Sequence, residues 1–252
     1  GAGDMERRYA ALAAAFAADG FRVARRAHTE TGRLGLMAQH ISASNYDTGE
    51  KKTAYYLEGT AYERGYLMGL LAEPQIADMA VNFVENIVFD QIGLDYLNRF
   101  ELLKKMLVEL VSELTQSAWQ ALPGHVHDEA AGMLDGCRRS NKNTRVTMQR
   151  LIVLNAGIDT LLALVYTRGI LREHVPRLTA EDIRLQLMCN AFSVVGPAAG
   201  GGHYFARDFM FASGEVLQNN VAHIIHKPEG RASERGFAYV NVTAPGIIGS
   251  FS

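Results

Sequence analysis

Near residue 185 the spacing of apolar side chains changes, and that change limits what this chain can become. Before it, apolar residues recur at three- and four-residue steps, the period of a helix that buries one face. Leu94, Leu97, Leu102, Leu103, Met106, Leu107, Leu110, Leu114 and Trp119 predict one long amphipathic helix, stopped by Pro123-Gly124. A second helix is expected from His127 to Cys137, with Ala130, Ala131, Met133 and Leu134 inward. A third lies within Thr144–Leu171, and Thr179 to Asp182 reads as a further helix start. After residue 185 the pattern becomes alternating. Asn190–Val195 and His203–Phe211 predict a hairpin turning at Gly200-Gly201-Gly202, and Val221–His226 and Phe237–Thr243 predict two more strands. Tyr55–Gly59 is an earlier short strand leading into a helix that carries Gly65 and Gly69 on one face, the spacing of close helix packing.

The fold class is therefore α+β, a mainly helical first part followed by antiparallel strands. Residues 1–54 read as an N-terminal extension, 55–188 as a mainly helical segment, and 189–252 as the start of a sheet. Strands that end at Ser252 with no further layer suggest the front part of a longer protein or one piece of a cleaved one. Gly1–Asp4 ahead of Met5 are expected to lie outside the fold.

The 252 residues are enough for a substantial core. With 25 Lys+Arg against 27 Asp+Glu, the chain lacks the basic excess of a nucleic-acid binder. Arg25-Arg26, Lys51-Lys52, Lys104-Lys105 and Arg138-Arg139 read as solvated faces. Two cysteines, Cys137 and Cys189, cannot build a disulfide framework, which fits a reducing, cytoplasmic setting. No apolar run is long enough for a membrane span, so stable membrane insertion is not expected. Met5–Ala18 has a faint signal-peptide outline, but its Ala-rich composition favours an amphipathic helix and leaves export open.

Cys189 opens the first strand of the predicted hairpin, and Arg207-Asp208 return on the second. A thiol is the strongest nucleophile available to the chain, and a nearby guanidinium favours its thiolate. On residue type alone, Cys189 is more readily a small buried side chain, and Arg207-Asp208 a surface pair. His203, His223 and His226 show no metal-ligand spacing and read as structural or surface residues.

Three stretches add to this reading: Leu57–Gly69, Asp128–Gly136 with Leu154-Asn155 and Asp159, and Cys189–Phe192 with Gly202–Phe211. Together they resemble the autoproteolytic acyltransferase family of N-terminal-nucleophile (Ntn) hydrolases. That family includes the isopenicillin N acyltransferases, with bile-salt hydrolases and phospholipase B-like proteins as distant relatives. The resemblance implies an αββα sandwich, incomplete in this chain, and a precursor cut between Met188 and Cys189. The freed Cys189 would be both nucleophile and, through its α-amine, general base, with Arg207 beside it. It implies no metal or organic cofactor, and an acyl or amide small molecule as substrate. Those relatives usually carry an acid three residues after the arginine; here that position is Met210, and the nearest acid is Asp208. They also continue from a segment like Pro245–Gly249 into a further element of the site, so a remaining C-terminal segment is an expected partner.

Two other readings stand beside this one. A phospholipase B-like ester hydrolase would use the same cysteine, with Phe205, Phe209 and Phe211 as an acyl pocket or, more simply, as sheet core. A non-catalytic interaction protein would use the Leu94–Trp119 helix as a partner or homodimer surface, though that stripe reads more simply as core.

Overall fold

The computed structural model describes residues 2–45, 48–86, 101–157, 160, 191–207, 214–229 and 236–249. Six α-helices and seven strands lie among them: α1 (Ala2–Ala18), β1 (Phe21–His28), β2 (Leu34–Ser44), β3 (Lys51–Gly59), α2 (Ala61–Ala77), α3 (Glu101–Gln120), α4 (Gly124–Ser140), α5 (Met148–Ile152), β4 (Ala191–Val195), β5 (His203–Arg207), α6 (Gly214–Asn220), β6 (Ala222–Pro228) and β7 (Tyr239–Thr243). π-helical turns follow α2 at Asp78–Phe83 and α5 at Val153–Gly157.

The class is α+β, as expected. Residues 1–54, read from the sequence as an extension, hold β1 and β2 behind α1, and β3 carries the expected Tyr55–Gly59 strand back to Lys51. These three strands join β6 and β7 in a five-stranded sheet of order β1-β2-β3-β6-β7. β6 and β7 pair antiparallel, while β3 and β6 run parallel from Thr53↔Ala222 to Gly59↔Pro228. β4 and β5 form a separate antiparallel hairpin.

Alternation along the strands gives the sheet two apolar faces, and each is covered. Leu34, Leu36, Ala38 and Ala54 pack with Tyr9 and Phe16 of α1. The Met5–Ala18 segment thus lies in a helix seated on the sheet, and that helix already begins at Ala2, with Asp4 accepting from Arg7 at 3.1 Å. On the other face Met37, Tyr55, Leu57 and Ile224 meet Leu67, Met68, Leu71 and Ile76 of α2. Burial of this kind contributes about 1.5–3 kcal/mol per large side chain.

α2 starts at a capping box in which Thr60 and Glu63 satisfy each other's backbone N–H groups. It kinks at Ala72, ahead of Pro74, which has no N–H to give. At the break, Arg25 of β1 donates to the Leu71 carbonyl at 2.6 Å. The close approach expected at Gly65 and Gly69 is present. A Cβ on Gly69 would stand 2.6 Å from the Cys137 nitrogen, and Gly132 and Gly136 of α4 supply the matching gap. α4 runs longer than predicted at both ends, and Ala131 is only half-buried.

α3 ends at Gln120, close to the predicted stop, while residues 94–100 lie outside the described residues. Only the start of the third predicted helix is described, capped by Thr147. The helix start at Thr179–Asp182 lies outside the described residues. No described helix is long and apolar enough to cross a membrane.

Candidate functional site

The predicted hairpin is present, with β4 and β5 paired antiparallel. Ala191 stands across from Arg207, Phe192 from Ala206, and Val195 from His203. Its tip is a 3-10 turn, Gly196–Ala199, closed by Gly200 and Gly201 at positive φ, a conformation that costs little only for glycine. Ser193 and His203 share a hydrogen bond of 2.7 Å across the strands. Arg207 is exposed at the end of β5, opposite the residue two places beyond Cys189. Met188, Cys189 and Asp208 lie outside the described residues, as do Phe209 and Phe211.

Phe205 is not sheet core. It is 57% exposed, and Phe192 and Tyr204 are similarly open, because among the described residues β4 and β5 pair only with each other. A two-stranded ribbon has no second layer to bury its faces.

A buried polar corner lies where α2 and α4 meet the β7 edge of the sheet, and the sequence reading did not find it. Arg64 of α2 donates to the Gly59 carbonyl at 2.8 Å and approaches Glu129 of α4 at 3.4 Å. His226 of β6 stacks on Tyr239 of β7, its cross-strand neighbour, with ring centroids 4.7 Å apart. Arg64, Glu129 and His226 are all buried. Burial pushes the Glu129 carboxyl up, and Arg64 pulls it back. Burial drives the His226 imidazole down to about 3, with Arg64 repelling its charged form, so it is neutral at physiological pH. Arg64 Nε and His226 Nδ1 have no hydrogen-bond partner among the described residues.

A second network fills the opposite face. The Glu58 carboxylate takes Arg8 of α1, the Leu34 N–H at 3.1 Å and the Tyr56 hydroxyl at 2.9 Å, with Lys227 at 3.7 Å. Desolvation alone would raise its pKa; these donors outweigh that and hold it below the ordinary carboxylate range. An open cleft of about 380 Å³ lies beside α2, lined by Thr29, Glu30, Thr31, Tyr62, Glu63 and Tyr66.

The segment Pro245–Gly249 is clamped by Asn155, whose amide donates to the Gly246 carbonyl at 2.9 Å and accepts from the Ile248 N–H at 2.7 Å. Asn155, from the second of the three stretches, thereby holds the segment from which the family is expected to continue. Of the three histidines singled out from the sequence, His203 and His223 are exposed and His226 is buried. Among the described residues no cluster of three or more His, Cys, Asp or Glu could hold a metal ion. Cys137 is buried in the α2–α4 contact, and burial raises its thiol to about 12.

No protein-family model matches the chain. The chain is similar to an uncharacterized protein of Archaeoglobus fulgidus, 28% identical over 204 residues. The match covers 81% of this chain and 31% of that protein, so the chain spans about a third of its relative's length.

Proposed function

We propose that the chain is part of an Ntn-type cysteine acyltransferase or amidohydrolase, made as a precursor and cut between Met188 and Cys189. The observation that carries this reading is the hairpin register, which puts Arg207 across from Ala191, two residues beyond Cys189. A guanidinium there favours the thiolate.

In the cleavage step the Cys189 thiolate attacks the Met188 carbonyl, the C–N bond breaks, and the nitrogen takes a proton. Water then hydrolyses the thioester, releasing the Met188 carboxylate. The new α-amine, with an ordinary pKa of about 7.7–8, takes the thiol proton in each later turnover. An amide or thioester donor acylates the sulfur as its C–N or C–S bond breaks, the amine or thiol leaving with the proton held by the α-amine; water or an amine then takes the acyl group and the thiol is restored. Asp208, next to Arg207, belongs to the same proposal on condition of a bulge, since successive strand residues point to opposite faces. The exposed Phe192, Tyr204 and Phe205 favour a second donor class, esters of apolar acyl chains, on the same nucleophile.

Mass spectrometry of the full protein tests the proposal. Two fragments meeting at 188–189 are expected, with Cys189→Ala abolishing both cleavage and acyl transfer. A wild-type chain that stays intact, with a fully active Cys189→Ala variant, overturns it. Rates on paired amide and ester donors then assign the donor class.

A further inference from the structure

Helix α3 is apolar on two opposite sides. Val108, Val111, Thr115 and Trp119 are buried, and α3 packs on α5 and the π-helical turn after it. On the far side Leu102, Met106, Leu110 and Leu114 are 72, 55, 49 and 48% exposed. Four-residue steps place these side chains in one ridge along the helix. A surface helix normally carries polar residues there.

The charges beside the ridge identify what covers it. Lys105, Glu109 and Glu113 are exposed and lie along the same flank, the cation toward the helix start and the acids toward its end. The other flank has no acid. The apolar pattern also reads the same from either end about the level of Val108.

We propose that this ridge binds a second copy of the chain, α3 against antiparallel α3, about a twofold axis at Val108. Leu102 then lies level with the partner's Leu114, and Met106 with the partner's Leu110. A twofold axis brings each flank against its own copy. Lys105 falls between the partner's Glu109 and the partner's Glu113, about 3 Å along the axis from each, and the symmetry repeats this contact. Parallel pairing would bring opposite flanks together, where the lysine meets no acid. The ridge is about 18 Å long, which suits a small interface and a dimer that depends on concentration in the micromolar range.

Sedimentation velocity of the full chain over a roughly hundredfold concentration range is the test. A monomer–dimer equilibrium is expected. Leu110→Glu sets a carboxylate in the interface of both copies and should weaken the dimer about 100-fold or more. Its thermal melt should match that of the wild type, since the side chain is exposed. Lys105→Glu alone should also weaken the dimer, and adding Glu109→Lys and Glu113→Lys should restore it. A monomer at every concentration, a dimer indifferent to Leu110→Glu, or a failed rescue overturns the proposal. So does a monomer that floats with phosphatidylcholine vesicles, which would make the ridge a lipid-binding face.

Discussion

Gly65 on α2 and Glu129 on α4 approach so closely that a Cβ on Gly65 would stand 2.8 Å from the Glu129 carbonyl carbon and nearer still to its oxygen. The two helices therefore touch backbone to backbone, and this contact sets the distance between Arg64 and the Glu129 side chain.

Gly65→Ala must push the helices apart. Overpacking costs typically 1–3 kcal/mol and sometimes more, against roughly 1 kcal/mol gained in helix propensity. A net loss of up to about 2 kcal/mol is expected, or up to about 4–8 °C in Tm for a chain of this size. Gly3→Ala, whose Cβ would meet nothing within 4 Å, is the control and should not lower the melt. Equal melts for the two variants would contradict the backbone contact.

Glu58→Gln removes a charge that Arg8, Leu34 and Tyr56 all address. The loss at neutral pH should be about 2–3 kcal/mol, reduced from the value for a fully buried pair because Arg8 is partly exposed. Glu58 is held below 4.5, so its contribution is complete above that pH and is lost as pH falls through the folded-state value. Urea titrations from pH 6 downward should show a flatter acid limb for the variant than for the wild type.

His226 works in a different window. Its folded-state pKa of about 3 lies below the ordinary 6.5, so between those values the unfolded chain holds a proton that the folded chain lacks. Stability from this group is whole above 6.5 and falls with each unit of acidification, by up to about tenfold in the folding constant per unit. His226→Gln should reduce the pH slope of urea-unfolding free energy by up to one proton between pH 6 and 5, before the carboxylates titrate. An unchanged slope would mean that the imidazole is not shielded.

Cys137 should resist thiol reagents in the native protein. Burial, then the nearby Glu73 charge, raises its pKa to about 12, leaving almost no thiolate at neutral pH. Labelling followed by peptide mapping should find Cys137 modified only after denaturant is added. Fast native labelling at Cys137 would show that the α2–α4 contact opens.

α3, α4, the hairpin and the Gly65/Gly69 approach are all legible from local periodicity. β1 and β2 are not, for opposite reasons. β1 is an edge strand whose Arg22, Arg25 and Arg26 hide its alternation. Leu34 to Ala38 is buried on both faces, so it reads as an unbroken apolar run without a period. The parallel pairing of β3 with β6 leaves no local mark. The same holds for the corner of Arg64, Glu129, His226 and Tyr239, which four elements contribute; Thr60-x-x-Glu63 marks only the start of its helix. At the proposed site, the hairpin could be read in advance because a glycine turn and two alternating segments mark it together, while its register comes from the structure.

The seam between β3 and β6 also bears on the proposed processing. Residues 53–59 belong to one side and 222–228 to the other. A chain severed between Met188 and Cys189 would therefore stay in one piece, its halves laced by backbone hydrogen bonds through the middle of a shared sheet. Such a protein would run as two bands under denaturing conditions and as one particle in native buffer.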